Sequence, residues 1–207
     1  MPATELAHFL LKPPYHPSHP SLISALTTAK TVLERASGCN FHFFSVSPHA
    51  SEASEIYILG HWQSVTAHQT FLPSEGNQEL LKLVEGLLDV EWMFHLEDQK
   101  VFGTENGDEV KEVLDDLANN EEGMKLVRVF QEEGGATGEK RADLEERVAN
   151  LYDLERSDTR KWPVVVGYRV ERQNEAVVLS PNIEPNNGFD SLDGARVIRL
   201  WRIPLGK

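Results

Sequence analysis

The sequence predicts an α+β fold: two ferredoxin-like βαββαβ units with antiparallel sheets packed into an α+β barrel. Three observations predict it. The order strand–helix–strand–strand–helix–strand runs through residues 1–98 and restarts at residue 123. The strands of the first stretch are apolar on both faces, so helices can cover only one. At about 25 cal/mol per Å², leaving the other face in water would cost many kcal/mol, and a second sheet from the same chain is the economical cover. Between the stretches lies an acidic segment, 99–122, read as a helical linker. Within it, Glu105 to Glu122 carries eight acids against one lysine, Lys111.

The elements follow in order. Glu5–Lys12 is mainly apolar and stops at Pro13-Pro14, as a strand running into a turn does. The next residues hold His16, His19 and two further prolines, Pro17 and Pro20, and form a loop. Leu22, Ala25, Leu26, Ala29, Val32 and Leu33 recur at helical spacing, which predicts a helix over 21–36 closed by Gly38. Phe41–Ser47 and Glu55–Trp62 are β-prone and read as a hairpin around a polar connection. Ser64 is an N-cap for a short helix through His68 and Phe71. A second helix, 77–88, places Leu80, Leu81, Val84, Leu87 and Leu88 on one side. Val90–Glu97 closes the unit as a strand. After the acidic helix, 108–118, come a strand over 124–131, a loop at Gly134-Gly135 and a helix over 140–156 with Leu144, Val148, Leu151 and Tyr152 inward. A hairpin of 162–172 and 175–180 turns at Gln173-Asn174. At most a helical turn near Phe189 follows, and 195–205 is the last strand.

Composition narrows the function classes. A net charge of −13 on 207 residues disfavours nucleic acid, whose phosphates need clustered Lys and Arg. It equally disfavours an anionic membrane surface. No apolar run approaches the roughly 20 residues that span a bilayer. The opening MPATELAHFLLKPP lacks the basic start and long apolar core of a secretory leader, so a cytoplasmic protein is expected. The single cysteine, Cys39, admits no intrachain disulfide and reads as a small residue in a turn. No Gly-rich phosphate loop, nucleophile elbow or paired-cysteine motif is present.

The histidines point to the first unit. All eight lie within residues 1–95, and histidine is the side chain best suited to proton transfer near neutral pH. His8 on the first strand and His95 on the fourth form the expected base pair of one cavity, each also readable as a plain core histidine. Tyr57 and His61 share a face of the third strand by the period-two rule, with Tyr57 or His61 orienting an oxygen of the ligand. His42 shares a face with Phe44. His68 is expected to be structural or at the surface. His16 and His19 could supply two imidazoles, but nothing near them completes a set of three or four ligands, so no metal is expected. Phe44, Trp62, Trp92 and Phe94, with Glu75, are the expected ligand-binding residues. A flat aromatic ligand suits the ring-rich set, for which plain core is the competing reading.

The stretch Trp62-Gln63-Ser64-Val65-Thr66-Ala67-His68, at the end of a strand leading into a helix, resembles the W-x-S-x-x-A-H stretch of dimeric α+β barrel proteins. These include the antibiotic-biosynthesis-monooxygenase-like domains. The resemblance covers about residues 4–98; over 124–205 it is one of element order, without the Trp motif. It implies the barrel fold and a small-molecule enzyme. In the polyketide cyclases of the superfamily, a first-strand histidine, a second-helix histidine and a last-strand acid line the pocket. His8 matches the first, Glu75 falls near the second and His95 takes the approximate place of the third. The haem-degrading members pair Trp with a first-strand Asn that this chain lacks, so no haem and no other cofactor is expected.

The function expected from these readings is a cofactor-independent enzyme of secondary metabolism. It would act on a polyketide-like or aromatic substrate as a cyclase, isomerase or monooxygenase by histidine acid–base chemistry. The alternative is a non-catalytic barrel that binds a small apolar ligand or a protein. A tandem chain of this kind keeps outer surfaces through which it can pair as a homodimer.

Overall fold

A computed structural model describes residues 2–49, 51–102, 109–130, 138–154, 163–172, 175–182 and 195–205. The elements are β1 (Ala3–Leu11), α1 (Pro20–Ser37), β2 (Phe41–Ser45), β3 (Glu55–Trp62), α2 (Val65–Phe71), α3 (Glu75–Val84), β4 (Leu88–Phe102), α4 (Val110–Ala118), β5 (Met124–Phe130), α5 (Gly138–Leu154), β6 (Val164–Arg169), β7 (Glu175–Pro181) and β8 (Ala195–Arg202). The strands form an antiparallel closed barrel in the order β1-β3-β2-β8-β5-β7-β6-β4. That is the α+β barrel class the element order predicts. The chain divides into two compact units, residues 1–95 with 201–207, and residues 96–200.

In the first unit β3 lies between β1 and β2. His8 stands opposite Tyr57 and Thr4 opposite His61 in one ladder, and Phe44 opposite Tyr57 in the other. Side chains alternate faces along a strand. One face gives Ala7, Leu11, Phe41, Phe43, Ile56, Ile58 and Trp62 to a core completed by Leu22, Leu26 and Leu33 of α1 and Val84 of α3. Each fully buried Leu there contributes about 1.5–3 kcal/mol. The other face carries Leu6, His8, His42, Phe44, Tyr57, Leu59 and His61, all buried as well. Ile203, just past β8, hydrogen-bonds the carbonyl of Phe43 through its amide and joins the helix-side core.

Local chemistry sets the helix ends. Pro20 occupies the first turn of α1 and the Nδ1 of His19 accepts from the amide of Ser21. Gly38, at φ 71°, closes the helix in the left-handed conformation that costs glycine least. Ser64 and Ser74 cap α2 and α3 by accepting from the amides of Ala67 and Asn77. The two largest departures from the expected boundaries both involve β4. α3 ends at Val84 because Leu88 is already the first residue of β4. β4 runs on to Phe102, past Glu97, through an irregularity where Asp98 adopts φ 49°.

In the second unit β5 pairs with β7 and β8, and β6 with β4 and β7. Leu144 and Val148 of α5 pack on Val127, Val129, Val164, Val166 and Val178. Helix α4 buries Val113, Leu114, Leu117 and Ala118. Glu175 is fully buried and paired with Arg128 and, at 2.8 Å, with Arg169. The expected loop at Gly134-Gly135, the turn at Gln173-Asn174, the helical turn near Phe189 and the side chains of Leu151 and Tyr152 lie outside the described residues. Among the described residues no helix is long and apolar enough to cross a membrane.

Candidate functional site

Two polar clusters sit on opposite faces of the first unit's sheet, and the parity of β1 separates them. His8 points to one face; Glu5, three residues earlier, points to the other.

On the first face, the imidazole of His8 stacks on the ring of its ladder partner Tyr57, centres 4.4 Å apart and planes 14° from parallel. Trp92 of β4 closes on both, with centres 5.3 Å from His8 and 5.8 Å from Tyr57, and itself stacks on Phe94 at 4.9 Å. The Nε2 of His8 lies 3.0 Å from a carboxylate oxygen of Glu55. Glu55 faces Leu10, so it reaches His8 on the diagonal of the ladder. A carboxylate accepts, so Nε2 carries a proton, and in the neutral imidazole Nδ1 then holds the lone pair. Nδ1 is buried, and among the described residues nothing hydrogen-bonds it. The arrangement is an imidazole oriented by a carboxylate and flanked by aromatic rings. Four residues along the same ladder, beyond the Leu6–Leu59 pair, Thr4 Oγ1 lies 3.1 Å from His61 Nδ1.

The second cluster lies on the helix side. Trp62 donates its indole N–H to Glu5 Oε2 at 2.5 Å. Ser64 starts α2 two residues after Trp62, so His68 falls one turn into the helix and lays its ring on the indole, 4.5 Å between centres. The Nδ1 of His68 is 2.7 Å from His95 Nε2 and 3.3 Å from Glu5 Oε2. Glu5, Trp62, His68 and His95 are each at most 6% exposed. Burial pushes the Glu5 carboxyl up to about 7, against the Trp62 hydrogen bond and the His95 charge that pull it down.

The sequence-predicted residues therefore separate. His8, Tyr57, Trp92 and Phe94 come together, with Phe44 and His61 on the same sheet face. His95 and Trp62 belong to the other cluster, so His8 and His95 do not meet. Glu75 is exposed in the first turn of α3. His42 is buried. His68, expected to be structural or superficial, is buried among polar partners. Glu5 and Glu55 are the residues sequence reasoning passed over. The signal for Glu5 and His95 was parity: Glu5 alternates in step with Ala7 and Leu11, and His95 is out of step with Trp92 and Phe94.

No family model matches the chain, and no curated protein does. Solved structures share its fold. A candidate monooxygenase from Fusobacterium nucleatum superposes with TM-score 0.61 at 10% identity, covering 98% of this chain and 93% of its own. A candidate monooxygenase from Lactobacillus acidophilus gives 0.59 at 9%, covering 100% and 96%. An anthrone oxidase-like protein gives 0.59 at 9%, covering 98% and 91%. At such identities the likeness is one of fold.

Proposed function

We propose that the chain is a small-molecule oxidative enzyme acting on a phenolic or polyketide-like aromatic substrate, with His8 as general base. The observation that carries this reading is the Glu55–His8 pair, held flat on Tyr57 with the lone pair of Nδ1 uncommitted. Support also comes from the names of the fold's relatives, two candidate monooxygenases and an anthrone oxidase-like protein.

The chemistry follows from the pair. An aromatic ring slots against Tyr57, Trp92 and Phe94 by offset or edge contacts. The Nδ1 of His8 takes a proton from an activated ring carbon or phenol. Glu55 holds the ring in place and balances the imidazolium charge that forms. The resulting electron-rich ring is oxidised by dioxygen; for an anthrone methylene, one O2 yields the carbonyl and one water. His8 then returns its proton to the reduced oxygen. No other cofactor is required by this scheme.

The test is oxygen uptake with anthrone, comparing the natural protein with His8→Ala checked for folding by circular dichroism. A positioned base contributes about 10²–10⁴-fold, so turnover should fall by that factor. Unchanged turnover in the folded variant would remove His8 from the mechanism.

A further inference from the structure

We propose that Glu5, His68 and His95 form a binding site for one divalent transition-metal ion, on the sheet face opposite His8. It is independent of the reading of His8.

Three separate elements supply the donors: Glu5 from β1, His68 from α2 and His95 from β4. Their ligand atoms all lie within 4.8 Å of one another. Two ligands each about 2.1 Å from one ion stand roughly 3.0–3.4 Å apart in octahedral or tetrahedral geometry. The observed 3.3 Å from His68 Nδ1 to Glu5 Oε2 falls within that range, and the 2.7 Å between the two ring nitrogens is just short of it, so the rings part slightly to seat an ion.

Hydrogen bonding alone serves this arrangement poorly. The Nδ1 of His68 faces both His95 Nε2 and Glu5 Oε2, and a single proton on it can be given fully to only one. A cation between them takes a lone pair from all three. It also resolves the placement of an acid where water cannot stabilise its charge: a divalent ion with one carboxylate and two neutral imidazoles leaves a net charge of one.

The surroundings fit a metal centre. Trp62 donates to the same carboxylate oxygen and so fixes its direction, the outer-shell role that tunes ligand geometry. The Trp62 ring on His68, with Phe71 at 5.3 Å from Trp62, forms a dry wall. Two imidazoles and one carboxylate select the iron-to-zinc series over calcium or magnesium, which prefer oxygen. Three protein donors leave at least one position for water or a small ligand.

The experiment is cobalt(II) titration of EDTA-treated protein, followed by visible absorption and by metal content after gel filtration. One cobalt per chain with ligand-field bands is expected. Glu5→Gln and His95→Ala should each weaken binding by more than about a hundredfold, beyond what outer-shell changes cause. Trp62→Phe should weaken it roughly tenfold, and His8→Ala should leave it unchanged. Should the ligand variants unfold, the natural protein still decides: absence of stoichiometric cobalt in it overturns the site. So does uptake that Glu5→Gln leaves intact or that a His16→Ala/His19→Ala variant abolishes, since that would move the ion to the loop.

Discussion

Glu5 and Trp62 are diagonal neighbours across the β1–β3 ladder, and the indole N–H of Trp62 is held on the carboxylate at 2.5 Å. Trp62→Phe keeps a ring against His68 and removes that donor. A hydrogen bond to a charged group is worth about 1.5–3 kcal/mol, and the smaller ring leaves a void beside it. Urea denaturation should show a loss of about 2–4 kcal/mol. A loss below the noise would mean the pair contributes no stability.

Gly60 faces Glu5 across the same ladder and leaves room for the Phe41 ring. A Cβ at residue 60 would stand 2.2 Å from Phe41 Cε1, and Phe41 is wholly buried. Gly60→Ala should cost about 1–3 kcal/mol by overpacking. Adding Phe41→Leu should recover part of the loss, giving a non-zero coupling in a double-mutant cycle. Additive effects would show that the ring was not what the methyl met.

Tyr57 gives His8 its flat support. Tyr57→Phe preserves the stack and should hold kcat for anthrone oxidation within about threefold, given how little shape changes. Tyr57→Leu removes the ring face, and kcat should fall more than KM rises, about tenfold or more, because base orientation is felt in the transition state. Equal effects of the two variants would point to the hydroxyl instead.

Glu175 is the buried counter-charge of Arg128 and Arg169 in the second unit. Glu175→Gln leaves two guanidinium groups facing a neutral amide. Breaking a buried pair in this way typically costs about 3–5 kcal/mol. Thermal unfolding should place this variant well below Arg128→Lys, which keeps the charge balance.

Ser64→Ala removes the cap of α2, the helix that delivers His68. About 0.5–2 kcal/mol of stability should be lost, and Ser64→Asp should restore most of it. Cobalt affinity should weaken with Ser64→Ala if helix fraying displaces the ligand.

The architecture was legible in the sequence because it is written in local patterns. Ser64 as a cap, Gly38 as a stop and 55–62 as a strand are decided within a few residues, and the structure has all three. The strand expected over 124–131 is also present, as Met124–Phe130. The site was harder. Pairing His8 with His95 depends on which face each strand turns inward. Both flanking runs, Leu6–Leu11 and Trp92–Leu96, are apolar on both sides, so alternation separates His95 from Trp92 and Phe94 but does not say which of the two faces shares a layer with His8. Glu55 and Glu5 were passed over for a related reason. A carboxylate at the start or edge of a strand looks solvated until the diagonal partner across the ladder is known, and that partner is more than forty residues away.

The nine residues of β1 have a consequence for how such a protein can change. Because Glu5 and His8 lie on one continuous pleat, a one-residue slip of β1 against β3 leaves their relative orientation intact but turns each toward the wrong layer. Inserting a residue between them reverses only one. A lineage in which the whole strand slips by one residue therefore loses both groups of polar partners in one step, while point substitution can alter either without touching the other.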